Sequence, residues 1–257
     1  RYPATSAVCC ARWHPSNQRC GVTFDIPGWY FALSMGLFGL LFGSFANVVI
    51  WRLPRGESIA HPGSHCPGCD APIAWYDNIP VASWLVLHGR CRHCHEPISL
   101  RYPLVEAVSG ALFLVAALVW GPSVRAIFGA ALFWFLLVLS LIDVEHMRLP
   151  NPLVGALSLV GLLGALLSQL LGWQVVPFVG IGARGLTSQP LVAAGSGVLL
   201  GAGLPAAIAL AYRAIRGTSG FGMGDVKLLG VLGVFLGPYV LLTFFIASLL
   251  GAAGALA

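Results

Sequence analysis

Two acids and four thiols are the groups of this chain whose type and spacing could do chemistry. Asp143 closes an apolar run at Leu141-Ile142-Asp143, and Asp225 opens another in Gly222-Met223-Gly224-Asp225-Val226-Lys227. Ionisable groups at the edge of membrane-length apolar runs are costly to place and default to a functional role. Two carboxylates brought within a few ångströms cannot comfortably both ionise, so the pair shares a proton near neutral pH. The charged member then takes a proton from water while the protonated member polarises a peptide carbonyl. That is aspartic-protease chemistry, it needs no metal or serine, and its proton belongs to the pair. Position alone leaves a second reading open. Asp225 suits the N-cap of a helix beginning at Val226, with Gly222 and Gly224 giving the turn, and Asp143 suits an interfacial acid.

The thiols form two knuckles, Cys66-Pro67-Gly68-Cys69 and Cys91-Arg92-His93-Cys94, with 21 residues between them. Four thiolates at this spacing can converge tetrahedrally on Zn²⁺, and a metal stabilises a segment too small to fold alone. The alternatives are two disulfides, which a reducing cytoplasm disfavours, or idle thiols. Four cysteines close the coordination sphere, so such a zinc is structural. His93 and His95 read as exposed loop residues. Cys9, Cys10 and Cys20 are separate; two of them could pair and leave one free.

The elements that must position these groups are membrane helices. Of 257 residues, 58% are apolar and only 9% charged, against roughly 25% charged in a soluble domain. The mean hydropathy of +0.85 agrees. This excludes soluble domains, and disorder, which is apolar-poor and charge-rich. The net charge of +5 does not mark a nucleic-acid partner. A single lysine is present, and the arginines flank apolar spans instead of forming a phosphate-tracking stripe.

The fold class is an all-α polytopic membrane protein in the lipid bilayer with six to seven transmembrane helices. A crossing needs about 20 apolar residues. The spans fall at residues 29–50, 104–120, 126–142, 152–171, 191–212 and 226–236, with a last segment at 239–257 after the helix-breaking Gly237-Pro238. Four regions follow: an amino-terminal segment 1–28, expected outside the cytoplasm; a first helix 29–51; a polar module 52–103 carrying the cysteines; and the remaining helices 104–257. Basic residues favour the cytoplasmic side. The side holding the 52–103 module carries nine of the fourteen. Asp143 and Asp225 then both lie at cytoplasmic helix ends. No internal repeat is evident. The start at Arg1 and the stop at Ala257 within an apolar run read as a fragment truncated at its carboxy terminus.

Supporting residues follow from place. Glu106 meets the positive end of the second span, with Arg101 as a candidate ion-pair partner. Glu145 is one residue off the face of Asp143 and is available to basic substrate residues. Ser44 and Asn47 suit close helix packing.

Taken in order, the motifs resemble those of the bacterial type IV prepilin leader peptidases, membrane aspartic proteases of the GxGD type. Residues 43–54, GSFANVVIWRLP, look like that family's first-helix signature. The two knuckles then bracket WYDNIPVASW at 75–84. Residues 97–99 and 101–106, PIS and RYPLVE, come next, and both aspartate motifs follow in the family's order. The resemblance implies that Asp143 and Asp225 are the catalytic pair and Cys66, Cys69, Cys91 and Cys94 the metal site. Gly222, Gly224, Lys227, Glu106 and Arg101 would support them. It implies a multi-pass protein of the bacterial inner membrane, its active site facing the cytoplasm. The substrates would be prepilins and secretion pseudopilins, cut after the glycine that ends a basic leader; the place of the site beside the zinc module makes that module, as a separate hypothesis, the holder of the leader. It also implies N-methylation of the new amino terminus with S-adenosylmethionine, whose site no glycine-rich loop marks. Asn151 departs from the family's usual aspartate, and the family's final stretch is absent after Ala257. A proton-coupled transporter and a non-catalytic zinc-bearing scaffold of a pilus or secretion machine are the rival readings. Which pilin is cut and the oligomeric state are not written in the sequence.

Overall fold

The computed structural model describes residues 23–172, 175–176, 189–217 and 222–256. Cys9, Cys10 and Cys20 lie outside them. Eight α-helices account for most of these residues: α1 (Gly28–Arg52), α2 (Ala82–Val86), α3 (Arg101–Trp120), α4 (Val124–His146), α5 (Asn151–Leu171), α6 (Pro190–Arg216), α7 (Met223–Leu236) and α8 (Val240–Leu256). Among the described residues, six stretches are long and apolar enough to cross a membrane. The expected spans are therefore found, each running a few residues further than its apolar run.

The sixth and seventh spans resolve into one stretch, Met223–Gly254. The 14 residues of α7 reach only about 21 Å, short of a hydrocarbon core of roughly 30 Å. Pro238 closes α7 in a 3₁₀ turn, Gly237–Tyr239, before α8 resumes. Other ends are set by local chemistry. Ser123 caps α4 by accepting the Ala126 N–H, and α4 stops where Met147 turns left-handed at φ 52° and returns its N–H to the Asp143 carbonyl, 2.7 Å.

The chain divides into two compact units, Phe24–Pro150 and Asn151–Ala257 with the first 23 residues. In the first, α1 lies against α3 so closely that a Cβ on Gly43 would stand 2.5 Å from the Glu106 Cα. Buried Asn47 donates to the Tyr102 carbonyl, 3.1 Å, across the same seam. Trp134 of α4 donates its indole N–H to the Phe42 carbonyl of α1, 2.8 Å, and stacks on Phe45. In the second unit α6 and α7 touch backbone to backbone. A Cβ on Gly197 would fall 2.0 Å from the Gly233 carbonyl oxygen, and one on Gly233 would fall 2.1 Å from that of Gly197. With no lipid-tail penalty to drive helices together, such small-residue contact is how membrane helices associate.

Candidate functional site

The four cysteines converge. Their Sγ atoms all lie within 4.8 Å of one another, Cys66 and Cys91 buried, Cys69 and Cys94 exposed. Cys66 Sγ and Cys94 Sγ are 3.7 Å apart, close to the edge of about 3.8 Å of a tetrahedron with metal–sulfur bonds of about 2.3 Å. The cluster could hold a metal ion.

An internal repeat, contrary to the sequence expectation, builds this cluster. Cys66-Pro67-Gly68-Cys69-Asp70-Ala71-Pro72-Ile73 and Cys91-Arg92-His93-Cys94-His95-Glu96-Pro97-Ile98 fold alike. In each, the fifth residue, Asp70 or His95, is left-handed and donates its N–H to the first cysteine's carbonyl, at 2.8 and 3.1 Å. The first cysteine's N–H reaches the sixth residue's carbonyl at 3.0 and 2.9 Å, and the isoleucine N–H reaches back to Ser64 or Gly89 at 2.9 and 2.7 Å. The sulfurs are electrostatically unequal. Backbone N–H groups of Cys94 and His93 hold the Cys91 thiol down to about 6. At Cys94 the Glu96 N–H favours the thiolate, but lost solvation and three neighbouring sulfurs prevail and push the thiol up to about 12. Cys91 therefore loses its proton readily, whereas Cys94 holds its own until a cation displaces it.

Among the described residues, Arg52 and Glu106 tie the module to the membrane helices and Trp84 braces it from within. Buried Arg52, in the last turn of α1, donates to the Ser58 and Gly63 carbonyls, 3.2 and 3.4 Å. Trp84 donates its N–H to the Ile98 carbonyl, 3.0 Å. Glu106 of α3 accepts the Val81 N–H at 2.7 Å. Val81 sits at φ 62°, ψ −48°, and the Ala82 N–H returns to the Pro80 carbonyl at 2.6 Å. This is a γ-turn of the strained positive-φ kind, at a β-branched residue that resists it. The carboxylate thus holds a costly backbone geometry in place. Glu106 is not the partner of Arg101: Arg101 pairs with Glu145 of α4, which brings the start of α3 to the end of α4 and occupies the acid expected to be free.

Asp143 is exposed in the last turn of α4. Three residues on, His146 lies on the same helix face, its Nε2 buried without a hydrogen-bond partner among the described residues; the sequence reading passed over it. Asp225 is also exposed, but it is not an N-cap. The helix begins at Met223 with Gly222 as the cap residue, so Asp225 is third in the first turn. There a carboxylate meets the helix's positive end. Gly222 has φ −70°, so it is not needed for a left-handed turn. A Cβ there would stand 3.1 Å from Asp225 Oδ2, a tight contact that a small shift of the exposed carboxylate would relieve. Lys227 donates to Asn151 Oδ1 at 3.0 Å, joining α7 to the start of α5. The cysteines, Glu106, Arg101 and Asp143 fall in one unit, and Asp225, Lys227 and Gly222 in the other.

Fold and site together define a polytopic helical membrane protein with a four-thiol module after its first helix and acids at two helix ends. Two family profiles match it: the bacterial peptidase A24 N-terminal domain over residues 37–120 and the type IV leader peptidase family over residues 130–256. Three relatives are similar over most of their length. A prepilin leader peptidase/N-methyltransferase of Klebsiella pneumoniae is 40% identical over 207 residues, covering 78% of this chain and 83% of the relative. One of the same name from Aeromonas hydrophila is 37% identical over 255 residues, 88% and 80%. A type 4 prepilin-like proteins leader peptide-processing enzyme of Escherichia coli is 38% identical over 225 residues, 78% and 75%. No solved structure gives a significant match. The chain belongs to the type IV leader peptidase family.

Proposed function

We propose that the protein is a membrane aspartic endopeptidase that removes the basic leader from type IV prepilins or pseudopilins after glycine and then N-methylates the new amino terminus. The observation that carries the reading is that Asp143 and Asp225 are both solvent-exposed at helix ends within the stretch matched by the leader-peptidase family. Asp143 and Asp225 share one proton; the ionised carboxylate takes a proton from the attacking water, and the protonated one polarises the scissile carbonyl. The tetrahedral intermediate then collapses as the leaving nitrogen gains a proton from the pair. A prepilin carries its basic leader in the cytoplasm and its apolar stem in the bilayer, so its scissile bond waits at the interface. Acids at cytoplasmic helix ends meet it there.

Zn²⁺ bound by Cys66, Cys69, Cys91 and Cys94 holds the module together, and it is structural, because four thiolates leave no position for water. The names of the relatives support methylation; S-adenosylmethionine, when bound, supplies the methyl group. Leader cleavage is to be measured with wild type and with Asp143→Asn and Asp225→Asn. Each variant should lose at least about a hundredfold in rate, the size of a general acid–base contribution. Wild-type rates in either variant would return the protein to the scaffold or transporter class.

A further inference from the structure

Between the two knuckles the chain is apolar where a surface loop would be polar. From Ala71 to Leu87 a single charged residue occurs, Asp77, and Arg92 of the second knuckle binds it at 2.8 Å. The segment folds as a 3₁₀ turn, Trp75–Asn78, followed by the short α2. Ser83 ties the two together, donating to the Tyr76 carbonyl and accepting the Ile79 N–H, both at 3.0 Å. Its large apolar side chains are left uncovered: Trp75 is 81% exposed and Val86 71%, and Ile79 and Leu85 are exposed as well. An apolar surface of this kind marks contact with protein or with membrane.

Depth separates the two. Helices α1 and α3 run antiparallel, Gly43 against Glu106 and Asn47 against Tyr102. At their far end Trp29 and Tyr30 are exposed in the first turn of α1, and Trp120 closes α3, as aromatic residues do at a membrane interface. From this belt, Trp29 to Gly43 and Trp120 to Glu106 are each 14 residues, a climb of about 21 Å. A hydrocarbon core is roughly 30 Å thick, so that level lies about 9 Å inside the opposite boundary. The Glu106 side chain leans toward the start of its own helix, and so toward that boundary. There its carboxylate holds the Val81 N–H at 2.7 Å. The turn into α2 is thus pinned at the junction of headgroups and acyl chains. Arg52, 23 residues from Trp29 and so about 35 Å along, holds the Ser58 and Gly63 carbonyls well above it.

We infer that the segment from Trp75 to Val86 is an interfacial anchor, its exposed apolar edge seated among the acyl chains of the leaflet on the module's side. The occupant is lipid because the segment lies at the level of that leaflet and carries one charge, already paired. Its apolar surface also runs on into the helices. Trp84 of α2 holds the Ile98 carbonyl, and from Leu100 the exposed Leu104 and Val108 continue along one side of α3. Interfacial elements bury such an edge by roughly 5–10 Å, which draws the module onto the bilayer without a further span. The inference needs only that the chain spans a membrane, and it stands or falls apart from the peptidase reading.

The full chain, with its metal, is to be reconstituted in dioleoylphosphatidylcholine nanodiscs with a diazirine amino acid replacing Leu85, Val86 or Ile59. Ile59 is the control, apolar and exposed like the others but next to the Ser58 carbonyl that Arg52 holds above the leaflet. Irradiation should give phospholipid adducts at positions 85 and 86 at least about fivefold above position 59, with metal content unchanged. In the unlabelled chain, bromines on the acyl chains should quench the fluorescence that Trp75→Phe removes. Equal adduct at all three positions, water addition in place of lipid at 85 and 86, or an unquenched Trp75 signal would overturn the assignment. So would adduct on a co-reconstituted prepilin with none on lipid, which would give this face to the substrate's apolar stem.

Discussion

The cysteine module and the two acids gather their groups at very different range. Cys66 and Cys94, 28 positions apart, meet at 3.7 Å through hydrogen bonds that run almost entirely inside the module. Asp143 and Asp225 are 82 positions apart and are carried by helices of separate compact units. The module is a short-range device that a metal can finish. Each acid instead inherits its position from a helix end, and so from everything that packs that helix. The difference teaches that one part should fail locally and the other from a distance.

The largest effect should come from the cysteines. Cys66→Ser combined with Cys91→Ser should take the metal from about one zinc per chain to none by native mass measurement, since structural sites lose their folding energy with their ligands. Asp143→Asn and Asp225→Asn should keep the full metal complement. Metal retained in the double serine variant would end the four-thiolate assignment.

Next is damage at a distance. Gly233→Val would drive a side chain into the Gly197 carbonyl and should cost about 3 kcal/mol, the upper end of typical overpacking. Cleavage should fall although neither acid is touched, and zinc should stay bound. Unchanged melting and cleavage in this variant would show that the acids do not depend on their helix packing.

A smaller effect is expected at the tether. Glu106→Ala leaves the Val81 N–H without its acceptor, at about 1–3 kcal/mol, and Glu106→Gln, which keeps a carbonyl oxygen, should recover most of it in thermal melts. If both variants melt alike, the carboxylate does not hold the γ-turn.

The smallest concerns Arg92 and Asp77. The guanidinium beside Asp77 holds that carboxyl below its ordinary value, so the pair's contribution is present above the usual carboxylate range and disappears as pH falls through the lowered value. Arg92→Gln should melt slightly below wild type at neutral pH, and the gap should close in acid. A gap that widens in acid would reverse the assignment.

What the sequence revealed follows the same division. The spans were legible because hydropathy is a property of consecutive residues, and the break at Gly237-Pro238 because proline removes a donor wherever it stands. The knuckles were legible because a metal demands local spacing. Their repeat was missed because only the two cysteines, the proline and the isoleucine recur, while the left-handed position is Asp70 in one copy and His95 in the other. The partners of Arg101 and Glu106 were unreadable, since Arg101 meets a residue 44 positions away and Glu106 binds a backbone N–H, which no side-chain pattern announces. The start of α7 was placed three residues late because Gly222 reads as a turn former, whereas it is the cap residue of the helix with φ −70°.

The contact between Gly197 and Gly233 has a mechanical consequence. Where two main chains abut, no rotamer is available to absorb a displacement, so α6 and α7 behave as a single bar. Any rearrangement that carries Asp225 toward a peptide must swing both helices together.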